Sequence, residues 1–283
     1  MREWFDVVDF AAEGIHHLPE PVPTGISALD FVTNGGLRPG LHVLGAPPGA
    51  GKTSFALHLV LNQLRAERKA AYVGLEIPSS EAFLRIASDH GCMDLGTQFS
   101  WSEAYRLAKA GEAACIAGIR GAIFTTQGRL LLDDFEHVRT LGEVLAAIND
   151  AADEGARLVV VDYMQVIDVG GDMREHERMA LVTSALKQAG ESNAMAVLGI
   201  SSLNREALRG TADMHSTSGG SAIEYAAVTV MGIRPDPDQP HDPNNTGVRN
   251  MRLDVFKDRY GRVAAGDDAV RIQWSPQFSW WGN

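Results

Sequence analysis

The stretch at residues 41–59, LHVLGAPPGAGKTSFALHL, constrains this chain more than any other. An apolar run at 41–44 reads as a buried strand. It breaks into a Pro/Gly loop at 45–51, and apolar residues then recur at helical spacing at Phe55, Ala56 and Leu59. Strand, glycine loop, Lys-Thr and helix form the pattern GxxxxGK[ST], here carried by Ala46, Pro47, Pro48, Gly49, Ala50, Gly51, Lys52 and Thr53. Alanine stands where the first glycine is usual. A tight concave loop turns backbone N–H groups toward an anion, and the helix that follows aims its positive end at the same point. Lys52 can reach β- and γ-phosphates and Thr53 can ligate Mg²⁺, so the pattern points to a nucleoside triphosphate site.

A chain of 283 residues, 45% hydrophobic, can bury a sizeable core as one large α/β domain or two small ones. Its formal net charge of −11 excludes a generally basic, nucleic-acid-coating surface, so any nucleic-acid contact must be local. Cys92 and Cys115 lie far apart in no metal-ligand spacing, which suits reduced thiols. The opening residues do not pattern as a secretory leader, and no apolar run is long enough to span a bilayer. A cytoplasmic protein with no membrane partner is expected.

Residues 2–12 interleave Trp4, Phe5, Val7, Val8 and Phe10 with acids, as a short amphipathic helix would, packed on its own domain or on a neighbouring subunit. A Pro-rich linker follows, so that residues 1–22 form a helix and linker, and 23–283 one domain. After the loop's helix, 70–75 (AAYVGL) reads as a second buried strand with Glu76 at its end. Open α/β sheets bind ligands at such strand ends, where a carboxylate can polarise an attacking water; equally, Glu76 could simply begin the next helix. Helical patterns cover 79–88, 102–120, 141–154 and 175–191, and a strand is expected within 123–132. Residues 158–167, LVVVDYMQVI, read as a strand ending in Asp162, whose carboxylate suits a water-mediated Mg²⁺ contact. Further strands are expected at 194–201 and 226–233, a polar Gly/Ser/Thr loop at 205–221, an exposed loop at 234–247, and a C-terminal hairpin at 250–259 and 269–274.

With these residues in hand, the chain resembles the ATPase domain of DnaB-type replicative helicases over residues 23–283. PTGISALDFVTNGGLRPG is similar to that family's entry segment, and an alanine-first loop followed by GKTSFAL is a variant the family uses. VGLEIPSSEAFLRIAS resembles its second-strand motif, VVVDYMQVI its Asp-Tyr-x-Gln strand, SSLNRE its next strand-end motif, and FKDRYG the hairpin carrying Lys-x-Arg. The resemblance implies a RecA-like α/β fold with a mostly parallel sheet, helices on both faces and a C-terminal hairpin. It implies ATP and Mg²⁺ as cofactors, with Ser54 and Arg85 joining residues 46–53 around the nucleotide. Glu76 and Asp162 become the hydrolytic base and Mg²⁺ carboxylate, Thr53 a second metal ligand, and Lys257 and Arg259 a pair inserted into a neighbour's ATP site. A hexameric ring moving 5′-to-3′ on single-stranded DNA is implied as well.

Three departures stand against this. Ser202 occupies the place of a glutamine that relays the γ-phosphate state to a DNA loop. The loop matching the family's arginine-bearing DNA contact, STSGGSAIE, has no basic residue, and the family's N-terminal helical domain is missing from the sequence. DNA-contact candidates are therefore Arg174, Arg178, Arg205 and Arg209, with backbone amides of Ser218, Gly219, Gly220 and Ser221. Two functions remain open: a helicase or translocase motor, and a RecA-like regulatory or assembly ATPase with weak or no DNA movement.

Overall fold

The computed structural model describes residues 19–94, 100–111, 129–202, 220–239 and 247–282. The expected helix at 2–12 and the candidates Arg205, Arg209, Ser218 and Gly219 lie outside the described residues. In chain order the elements are α1 (Ser27–Val32), β1 (Gly40–Ala46), α2 (Lys52–Arg65), β2 (Ala70–Gly74), α3 (Ser79–Asp94), α4 (Trp101–Lys109) and β3 (Leu130–Asp134). These are followed by α5 (Leu141–Asp153), β4 (Leu158–Asp162), α6 (Glu175–Ser192), β5 (Ala196–Ser202), α7 (Gly220–Ala226) and β6 (Thr229–Pro235). The chain closes with β7 (Arg249–Asp258), β8 (Val270–Ser275) and β9 (Trp280–Gly282).

Among the described residues the strands form a nine-stranded sheet in the order β3-β2-β4-β5-β1-β6-β7-β8-β9. Strands β3 through β6 pair in parallel, and β7, β8 and β9 are added antiparallel. The apolar runs at 41–44, 158–161 and 196–200 are continuous because both faces of these strands are covered. Leu44 and Leu198 face one core with Phe55, Leu59 and Val60 of α2, while Val43 and Val197 face the other with Ile148 of α5 and Val182 and Leu186 of α6. A capping box, Thr140 with Glu143, starts α5.

The structure corrects four boundaries. The strand expected within 123–132 runs from Leu130 to Asp134, its buried Asp134 accepting hydrogen bonds from Ser79 N (2.8 Å) and Oγ (2.6 Å). Part of the exposed loop expected at 234–247 is sheet: β6 continues to Pro235, and Asp236 is buried because it pairs with the equally buried Arg252 (2.8 Å). Gly220 and Ser221, expected to close the polar loop at 205–221, instead open α7. The C-terminal hairpin gains a further strand, β9, too short to carry an alternation signal.

Candidate nucleotide site

The parallel strands bring their carboxyl ends to one rim, and the motif residues of β1, β2 and β4 meet there. Ala46 is the last residue of β1, fully buried and paired with Ser202 of β5. That position is extended, which is why alanine serves where glycine is usual. Gly49 (φ 75°) and Gly51 (φ 86°) do adopt the left-handed conformation, and Gly51 forms the N-cap of α2. The Lys52 ammonium folds back over the loop and donates to the carbonyls of Ala46 (2.9 Å) and Pro47 (3.3 Å). Burial lowers its pKa, opposed by the charges of Asp162 and Glu76, so the three groups share one electrostatic environment.

Asp162 is 1% exposed. Its Oδ2 accepts from the Thr53 hydroxyl (2.6 Å) and the Tyr72 hydroxyl (3.0 Å). Its Oδ1 is buried with no hydrogen-bond partner. Burial raises the carboxyl pKa above its usual value, against the pull of those donors and of Lys52 and Arg85. An orphaned carboxylate oxygen beside a threonine hydroxyl fits Mg²⁺, which takes one or two protein oxygens and completes its shell with water and phosphate. No group of three or more His, Cys, Asp or Glu that could hold a metal ion stands together among the described residues.

Backbone pairing continues past Gly74↔Asp162 to Leu75 N–Asp162 O (2.6 Å), which sets Glu76 beside Asp162 on the rim. Glu76 is exposed and precedes α3, whose first turn carries Glu81, so Glu76 is not the residue that opens that helix. Partial burial raises its pKa, and the nearby Asp162 charge adds to the shift. Arg85 donates to Glu81 (3.1 and 2.7 Å) and lies 4.3 Å from the Trp101 ring centroid; its charge still acts on Asp162 and Glu76.

Not every candidate comes together at this rim. The Ser54 hydroxyl points away from the loop, bound to Ser279 and two indoles. Lys257 sits opposite Val230 of β6, itself level with Val43, and Arg259 N bonds Val228 O, level with Leu41. At about 3.3 Å per residue, Arg259 lies on the order of 16 Å back along β1 from the loop. Both cations are held by carbonyls at the end of α7: Lys257 Nζ donates to Glu224 O and Ala227 O, and Arg259 to Tyr225 O (2.7 Å). Arg174 is exposed at the start of α6, Arg178 is partly buried within that helix, and Gly220 opens α7. Sequence reasoning missed Tyr72, which read as one more apolar strand residue, and the Gln165–Ser201 bond (2.7 Å) linking the β4 and β5 ends.

A glycine loop at the end of β1, a lysine over it, and two carboxylates on adjoining strand ends of a RecA-like sheet define a P-loop NTPase domain. The chain belongs to the DnaB-like helicase C terminal domain family, whose model matches residues 21–283. It is 27% identical over 280 residues to the replicative DNA helicase DnaB of Pasteurella multocida (strain Pm70), covering 93% of this chain and 55% of the relative. To the DnaB of Haemophilus influenzae (strain ATCC 51907 / DSM 11121 / KW20 / Rd) it is 26% identical over 272 residues, with coverage of 93% and 55%. The chain thus spans about half the length of these curated relatives. In fold it is similar to the ATPase domain of G40P (TM-score 0.80, 17% identity, 100% of this chain and 99% of that one). A DnaB-like replicative helicase, solved with attention to its interactions with primase, is similar at TM-score 0.77 and 17% identity, over 99% of this chain and 65% of that one. No helix among the described residues is long and apolar enough to cross a membrane.

Proposed function

We propose that this chain is the motor domain of an oligomeric, Mg²⁺-ATP-dependent helicase or translocase that acts on single-stranded DNA in replication. The N–H groups of residues 49–53 and the Lys52 ammonium bind the triphosphate, and Thr53 and Asp162 hold the metal. When bound, Mg²⁺ neutralises charge on the phosphate oxygens. Glu76 orients the attacking water and takes its proton, a role favoured by its raised pKa. The observation that supports the oligomeric reading is that Lys257 and Arg259 are set well back from their own loop, which leaves a neighbour's loop as the site they would serve. Such a cation supplied across a subunit boundary is worth about 10³–10⁵ in rate in other NTPases. By family likeness the assembly is a hexameric ring moving 5′-to-3′.

The test is ATP turnover with and without single-stranded DNA across a salt series. Stimulation that weakens as salt rises is expected; turnover indifferent to DNA under conditions that support assembly would overturn the motor. Ser202, at the end of β5 and level with Ala46, favours the second reading, an assembly ATPase without strand movement, because its short side chain cannot span from phosphate to DNA. Separation of a forked duplex by the protein alone would rule that reading out.

A further inference from the structure

Behind the nucleotide loop stands a wall that its own motif does not contain. Trp274 of β8 and Trp281 of β9 stack at 5.3 Å with 11° between planes, and Phe55 of α2 meets Trp281 edge-on at 5.2 Å. Both indole N–H groups donate to the Ser54 hydroxyl, from Trp281 at 3.1 Å and from Trp274 at 3.3 Å. Ser54 Oγ donates in turn to Ser279 O (2.9 Å) and lies 2.8 Å from Ser279 Oγ. With one proton and two lone pairs the hydroxyl is fully used, and it has no capacity left for a phosphate. Gly51 backs directly onto the rings: a Cβ there would lie 2.8 Å from Trp274 Cε2 and from Trp281 Cζ2. Glycine is therefore required at this position for two reasons, its left-handed φ and the indole edges.

We propose that Trp274 and Trp281 are positioning residues for the nucleotide loop, fixing Gly51 and Ser54, and with them the amino terminus of α2, in the phosphate-accepting conformation. This rests on reading the loop as the ATP site. A cradle of backbone N–H groups loses affinity when its members can back away from the anion, and a rigid, buried aromatic pair prevents that movement at the two residues flanking Lys52 and Thr53. The constraint acts on bound substrate and transition state alike, so its removal appears in KM and spares kcat. Trp280, half-buried and adjacent on β9, projects to the opposite face and has no part in the clamp.

The experiment compares Trp274→Phe, Trp281→Phe, the double variant and Trp280→Phe in the full chain, by ATP·Mg²⁺ calorimetry and steady-state turnover. Phenylalanine keeps an aromatic wall but has no N–H for Ser54. Loss of these buried hydrogen bonds is expected to raise Kd and KM about fivefold in the double variant, with kcat little changed and Trp280→Phe like wild type. A folded double variant that binds ATP as wild type does overturns the clamp. Should the double variant fail to fold, the two single variants decide: a raised Kd for ATP in either supports the clamp, and wild-type affinity in both overturns it. Failure of wild type itself to bind ATP would instead remove the nucleotide reading.

Discussion

At the residue scale, Asp162 is a buried carboxyl whose ionised form costs the fold stability. Its ionised form is disfavoured by burial, so its folded pKa is raised. The stability tied to that carboxyl is full below the ordinary carboxylate range and is lost as pH rises through the folded value. Asp162→Asn keeps an oxygen to accept from Thr53 and Tyr72 without the buried charge. It is expected to melt at or above the wild-type temperature while losing turnover, and a thermal melt beside an ATPase assay checks both. By the same sign, Mg²⁺-nucleotide should raise the wild-type melting temperature more at about pH 7.5 than at about pH 5, because only the ionised carboxylate serves the metal. Lys52→Ala is expected to abolish ATP binding by calorimetry, since the phosphates lose their main cation.

At the element scale, the turn that carries Arg259 is tied to the strand that carries the nucleotide loop. His42, buried in β1, contacts Arg38 O (2.6 Å) and Thr229 (2.9 Å), and Thr229 donates to Asp258 (2.7 Å). Asp258 then holds the turn through the N–H groups of Tyr260 (2.8 Å) and Gly261. Asp258→Ala is expected to lower turnover by releasing Arg259 while leaving ATP affinity as it was; unchanged turnover would separate the turn from catalysis. Burial lowers the His42 pKa from 6.5 to about 4, against the pull of Arg38 O and the Asp258 charge. The fold therefore keeps this contribution above pH 6.5 and loses it as pH falls toward 4. Urea midpoints measured across that window should fall less for His42→Gln than for wild type.

At the scale of the whole molecule, the proposed completion of the site by a neighbour would make turnover a property of the assembly. Arg259→Ala is expected to bind ATP but turn it over slowly, and Lys52→Ala to do neither. Mixed, the two should regain turnover, because a protomer with an intact loop then meets a neighbour with an intact arginine. A mixture no more active than its parts would confine Lys257 and Arg259 to the carbonyls of α7.

The sequence by itself determined the parallel core, the loop with its lysine and threonine, and the strand ends bearing Glu76 and Asp162. Those features are local: each depends on a run of neighbouring residues whose apolar period, glycines and terminal carboxylate are legible in order. Tertiary structure alone decided that Tyr72 and Thr53 converge on Asp162, that the Ser54 hydroxyl turns to tryptophans more than two hundred positions away, and that Lys257 and Arg259 rest on α7. Each of these joins side chains brought together by sheet order and strand register, and a pattern of spacings along one chain does not encode which strand lies beside which.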